Sequence, residues 1–300
     1  MGAGHRTSSS LWFSGRPAAP WIFRPWSLTA KARRPAILHH GGVLPQQPDG
    51  GSPAASRPSP TILATSGGWI PGRRTPFELG PLVTFAIELA GVSGRAPLLC
   101  HVGTAMGDPA SAQAAVSEAG RVAGVEITHL SLFPMPNLED MEGHLLDQDV
   151  VWVNGGSVAN LLAVWRLHRL DSILRRVWEA GVVLGGVSAG SICWHVGGVT
   201  DSFGPDLQVL DDGLGFLPYS NGVHYDSEPE RRPRFQAAIA TGRLPSGYAT
   251  DDGVGLVYRG TTFVEAVSQR RGQAAYHVQT DGNGRARETR IEPRLLPNAS

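Results

Sequence analysis

In "LGGVSAGSICWH" (residues 184–195), Ser188 stands at the centre of G-x-S-x-G, directly after an apolar run. A serine on a sharp strand-to-helix turn can serve as an acyl-transfer nucleophile, because the turn lifts its hydroxyl clear of the sheet. The helix start then offers backbone N–H groups to a developing oxyanion. With 38 Gly and 23 Ser in 300 residues, random order yields about a third of such a match per chain, so the flanks carry the weight. "AGVVLGG" (180–186) reads as a buried β-branched strand and "AGSICWHV" (189–196) as a continuing helix. Gly186, Ala189 and Gly190 are small enough for the turn to tighten.

Such a serine needs a base, a group that orients the base, and oxyanion donors. Of ten histidines, His195 lies seven residues past Ser188, two helical turns or roughly 10 Å away, too far to be the base. His129 and His277 fall inside strand patterns, and His101 sits at a strand end. His224, in "SNGVHYDSE", follows a glycine at a strand end among polar residues and suits a cleft. For the orienting acid, Asp201 lies thirteen residues past the serine and Asp251–Asp252 form a pair in "ATDDGVGL"; Asp226 and Glu228 are nearer His224. Upstream, "VNGGSVANLL" sets Gly155 and Gly156 between a strand end and a helix start, where N–H groups could complete an oxyanion hole with that of Ala189.

The elements that must position these groups alternate from residue 61 onward. "TILATSGG" reads as strand and loop, "FELGPLVTFAIELAG" as helix, "APLLCHVGTA" as strand, and "DPASAQAAVSEAGRVAG" as a helix with Asp108 at its N-cap and Pro109 at N1. Strands follow in "VEITHLSLF" and "DQDVVWVNGG", helices in "SVANLLAVWRLH" and "LDSILRRVWEAG". Such alternation implies βαβ crossovers: an α/β fold with a mostly parallel sheet, helices on both faces, and functional loops at the carboxyl ends of the strands. After Trp194 come a loop-rich acidic stretch, a helix in "EPERRPRFQAAIATG", and short alternating runs typical of antiparallel strands. The expected organisation is an N-terminal extension over 1–60, one α/β hydrolase domain over 61–280, and a loose tail over 281–300.

Composition narrows the function class. The formal net charge is zero, without the broad basic footprint of a nucleic-acid binder, and no segment approaches the apolar length of a membrane span. Cys100 and Cys193 lie in apolar surroundings without C-x-x-C spacing, which argues against a metal site or a disulfide framework. One lysine, Lys31, stands against 25 arginines, a skew typical of high-GC coding. The first sixty residues are rich in Pro, Ser, Gly and Arg, with no acidic residue before Asp49. They read as a disordered extension or a misassigned start, since no apolar run of signal-peptide length follows Arg33–Arg34.

"NGGSVANLL", "GGVSAGS", "VTDSF", "GVHYDSEPERRPRF" and "TDDG", in this order, resemble the S51 serine peptidases, the peptidase E or aspartyl dipeptidase group, over about residues 61–278. The resemblance implies the class I glutamine amidotransferase-like, flavodoxin-like three-layer fold, with Ser188 as nucleophile and His224 as base. It offers two positions for the acid, matched by Asp201 and Asp252. It also implies that Arg231 binds the side-chain carboxylate of an N-terminal aspartate, a role suited to a planar, permanently charged fork; by itself "ERRPR" reads as a solvated basic face. The sixty-residue extension, Ser191 and Trp194 in the helix after the serine, and a shorter segment after the histidine depart from the family pattern. The resulting expectation is a cytoplasmic serine peptidase that cleaves Asp-X dipeptides, with Gly156 and Ala189 as oxyanion donors. It needs no metal or organic cofactor, takes a short peptide as ligand, has no nucleic-acid or membrane partner, and is compatible with a homodimer. Two rivals are an α/β-hydrolase esterase, for which "HHGG" (39–42) would be the oxyanion motif, and a non-catalytic amidotransferase-like scaffold.

Overall fold

The computed structural model describes residues 59–299. The "HHGG" stretch, Arg33–Arg34 and nearly all of the expected N-terminal extension lie outside the described residues. In chain order the elements are β1 (Thr61–Thr65), β2 (Trp69–Pro71), β3 (Phe77–Leu79), α1 (Pro81–Ala90), β4 (Leu98–Val102), α2 (Ala110–Ala123), β5 (Glu126–Leu130), α3 (Met141–Leu146), β6 (Val150–Val153), α4 (Val158–Leu167), α5 (Leu170–Glu179) and β7 (Val183–Val187). They continue with α6 (Ala189–Ile192), β8 (His195–Thr200), β9 (Gln208–Leu210), β10 (Leu217–Gly222), α7 (Arg231–Ala240), β11 (Gly247–Thr250), β12 (Val254–Arg259), β13 (Thr262–Ser268), β14 (Ala275–Thr280), β15 (Ala286–Ile291) and β16 (Arg294–Leu295).

The main sheet runs β16-β13-β12-β1-β7-β6-β4-β5. Its β1, β7, β6, β4 and β5 are mutually parallel, β12 pairs antiparallel with β1, and β13 pairs antiparallel with β12. Successive residues of β6 enter opposite cores. Val151 and Val153 pack with Leu161 and Trp165 of α4 and Leu174 of α5, while Val150 and Trp152 pack with Leu82, Val83 and Phe85 of α1. Burial on both faces is why "VVWV" is apolar throughout instead of alternating. A second sheet, β15-β14-β11-β10-β8-β9, packs against Phe235, Ala238 and Ile239 of α7. The parallel sheet with helices on both faces, and antiparallel strands towards the C-terminus, is the fold class expected from the alternating pattern.

Several local expectations change. The helix after Ser188 stops at Ile192, and His195–Thr200 is strand β8. The β-branched Val196, Val199 and Thr200 favour an extended chain, and β10 supplies the parallel partner that holds the two intervening glycines in the strand. Phe77–Leu79 pairs with β2, so α1 begins only at Pro81. Asp108 does not cap α2; its backbone is left-handed at φ 52° and its carboxylate accepts the N–H groups of Leu132 and Phe133. The expected tail contains β15, paired antiparallel with β14, and β16, beside β13.

Candidate active site

Ser188 occupies the single residue between β7 and α6, with φ 58° and ψ −112°. An L-residue held there carries strain of about 1–3 kcal/mol, so the surroundings must enforce it. The Ser188 N–H donates to Thr65 O at 3.0 Å, and Ser188 O accepts from Ser191 N at 2.8 Å and Ile192 N at 2.9 Å. Neighbouring glycines leave the room this needs. A Cβ on Gly186 would overlap the Gly190 carbonyl, one on Gly190 would overlap that of Val153, and one on Gly155 would lie 3.1 Å from Ser188 Cβ. The loop carrying Gly155 and Gly156 therefore lies directly against the serine. Gly156 takes φ 132°, conformational room that only glycine has readily. Among the described residues, no hydrogen bond from the N–H of Gly156 or of Ala189 to a backbone carbonyl in a turn or loop is formed.

His224 lies two residues beyond β10 and is also left-handed, at φ 54°. Its N–H donates to Ser66 Oγ at 3.1 Å. Ser188 and His224 are thus tied to consecutive residues, Thr65 and Ser66, at the carboxyl end of β1. His224 Nδ1 donates to Asp252 Oδ1 at 2.6 Å, leaving Nε2 as the ring nitrogen able to take a proton. This hydrogen bond holds the Asp252 carboxyl below the usual carboxylate range, partly opposed by burial. The Asp252 N–H is in turn held by Asp226 Oδ1 at 2.8 Å.

Of the carboxylates weighed for the orienting role, only Asp252 meets His224. Asp251 turns inward: its Oδ2 accepts Ala274 N at 2.9 Å and Tyr276 OH at 3.3 Å, and burial raises its pKa. Asp201 faces Arg231 at 3.5 Å. Arg231, expected to hold a substrate carboxylate, has a side chain only 4% exposed. Its Nε donates to Glu228 Oε2 at 2.6 Å, its Nη1 to Val199 O at 2.6 Å, and its Nη2 to Asp201. The guanidinium is already spent on two acids and a carbonyl.

His195, His101, His129 and both thiols have other partners or are buried. His195 is buried between Ser191 O and Tyr258 OH, and burial lowers its pKa to about 4. His101 Nδ1 meets His129 Nδ1 at 3.0 Å, and burial lowers its pKa to about 3. Cys100 and Cys193 are buried with raised pKa values, so neither is poised as a thiolate. Among the described residues no cluster of three or more His, Cys, Asp or Glu could hold a metal ion, and no helix is long and apolar enough to cross a membrane. Residue-by-residue reading missed Ser66 and the bracing role of Asp226. Ser66 shows only as the serine ending "LATS", and nothing local marks its partner.

With this geometry in view, comparison with known proteins is informative. The model of peptidase family S51 matches residues 63–266. The uncharacterized peptidase YgaJ of Bacillus subtilis (strain 168) is 41% identical over 182 residues, covering 61% of this chain and 78% of that protein. Among solved structures, a peptidase from an acI-B1 Actinobacterium superposes with TM-score 0.58 at 16% identity, over 78% of this chain and 95% of that one. A putative peptidase E protein from Listeria monocytogenes EGD-e gives TM-score 0.49 at 17% identity, over 69% and 97%.

Proposed function

The chain belongs to peptidase family S51 and is a serine-type peptidase, and from that premise we propose that it cleaves short peptides through Ser188, His224 and Asp252. His224 Nε2 takes the Ser188 proton and the alkoxide attacks the scissile carbonyl. The N–H groups of Ala189 and Gly156 hold the resulting oxyanion, His224 returns the proton to the leaving amine, and water releases the acyl-enzyme by the same steps in reverse order. Asp252 fixes the ring orientation and stabilises the imidazolium. The observation that carries this reading is the attachment of Ser188 and His224 to adjacent residues of one strand end, with Asp252 on the far ring nitrogen of His224.

The finer reading, an N-terminal aspartate as the preferred residue, takes one specific form. Glu228 is bonded to Arg231 Nε at 2.6 Å, whereas Asp201 stands at 3.5 Å from Nη2 with its side chain 59% exposed. The substrate carboxylate takes the place of Asp201, the more weakly held partner.

The test is hydrolysis of Asp-X, Asn-X, Glu-X and X-Asp dipeptides and a short-chain ester by wild type and Ser188→Ala. Cleavage of Asp-X alone, abolished in the variant, is expected. Ester turnover alone would favour an esterase, and activity indifferent to Ser188 would overturn the assignment of the nucleophile.

A further inference from the structure

Ser66 is 3% exposed and belongs to neither loop that carries the base or its acid, yet its hydroxyl touches both. Its Oγ accepts the His224 N–H at 3.1 Å and lies 2.6 Å from Thr250 Oγ1 and 3.3 Å from Thr250 O. Thr250 is the last residue of β11, two positions before Asp252. The Ser66 backbone adds two more ties to the Asp252 turn, donating to Val254 O at 2.9 Å and accepting Gly253 N at 2.8 Å. The preceding residue, Thr65, holds Ser188 N through its carbonyl, and its hydroxyl lies between Gly67 O at 2.6 Å and Gly186 O at 2.9 Å. Chain segments that start at β7, β10 and β11 are therefore referenced to one strand end. Ser66 Oγ bonds both the His224 backbone and the Asp252 segment, whereas Gln273 Nε2, which also spans the two, meets Asp226 and the Asp252 carbonyl and not His224 itself.

His224 takes a left-handed backbone, which an L-residue leaves when its restraints are removed. Its N–H meets Ser66 Oγ and no carbonyl of a strand ladder. We propose that Ser66 is a positioning residue of the peptidase reaction: its hydroxyl fixes the backbone of His224 relative to the Asp252 turn, and so keeps the imidazole in register with Ser188. This rests on the catalytic roles proposed above. Ser66 touches no reacting atom. Its loss should slow proton transfer and leave substrate binding intact, because misplacing a catalytic group by about 1 Å can cost on the order of a hundredfold in rate.

The experiment compares full-length wild type, Ser66→Ala, Thr250→Val, the double variant and Ser188→Ala. It measures kcat and KM on the fastest dipeptide of the panel, the rate of labelling by a fluorophosphonate probe, and the melting midpoint. Ser66→Ala is expected to lower kcat and labelling together by about 10- to 100-fold, with KM and the melting midpoint near wild type. Thr250→Val should give a smaller loss of the same kind, and the double variant should lose no more than Ser66→Ala, because both remove one shared hydrogen bond. Wild-type labelling in Ser66→Ala while Ser188→Ala is inert would overturn the role of Ser66 alone. A kcat loss matched by an equal loss of folded protein would do the same. Should Ser66→Ala fail to fold, Thr250→Val decides, and wild-type rates in it count against the proposal. Undiminished turnover by Ser188→Ala would overturn the catalytic roles, and the role of Ser66 with them.

Discussion

At the scale of single residues, two aspartates that look interchangeable along the chain have different partners. Asp252 Oδ1 is 2.6 Å from His224 Nδ1, and Asp201 faces Arg231. Asp252→Asn should therefore lower kcat by about 10²- to 10⁴-fold, because an amide neither holds the productive tautomer nor stabilises the imidazolium. Asp201→Ala should leave kcat unchanged and lower KM for Asp-X, since it removes the more exposed of the two carboxylates, Asp201 at 3.5 Å and Glu228 at 3.4 Å, that compete for Arg231 Nη2. Steady-state kinetics on both variants checks the pair; a fall in kcat for Asp201→Ala with none for Asp252→Asn would reverse the assignment. What a residue's neighbours imply was legible here only in part. "GVHYDSE" marks His224 as a cleft histidine, but the carboxylate bonded to it lies 28 residues on in sequence, and no local signal separates Asp252 from Asp251, whose carboxylate meets Ala274 N and Tyr276 OH instead.

At the scale of elements, the turn holding Ser188 depends on absent side chains as much as on present ones. Gly190→Ala would drive a methyl into the Val153 carbonyl, an overpacking that costs about 1–3 kcal/mol, and it should slow probe labelling of Ser188 as well. Gly124, the left-handed C-cap of α2 at φ 70°, has open space around it. Gly124→Ala should therefore cost about 1 kcal/mol without touching activity. Urea unfolding and labelling rates on the two variants separate a glycine needed for the turn from one needed for a cap. The strand before Ser188 was readable from "GVVLGG", because buried β-branched runs have few alternatives. The length of the helix after it was not. α6 ends at Ile192 because β8 finds a parallel partner in β10, a pairing outside the reach of local propensity.

At the scale of the whole molecule, the core holds buried, uncharged histidines apart from His224. Burial lowers His195 to about 4 and His101 to about 3, whereas an unfolded chain protonates both near pH 6.5. As pH falls below 6.5 the unfolded state binds protons that the native state refuses, so stability drops until the native values are reached. Between pH 7 and pH 5 this linkage amounts to about 2 kcal/mol per histidine. The urea midpoint should fall over that range, and His195→Gln should flatten the fall; a midpoint independent of pH would contradict neutral burial. The sequence by itself determined the parallel α/β layering, the Ser188 turn and the family, because these follow from periodicity and contiguous motifs. Only the tertiary structure decided that Asp252, and not Asp201, is hydrogen-bonded to His224, that Arg231 is already engaged, that "RARETRI" is a paired strand, and that Ser66 joins the loops. The Ser66–His224 bond spans 158 residues, the Arg231–Asp201 contact 30 and the His224–Asp252 bond 28. Partners at such separations are selected by sheet order and strand register, which no window of neighbouring residues encodes.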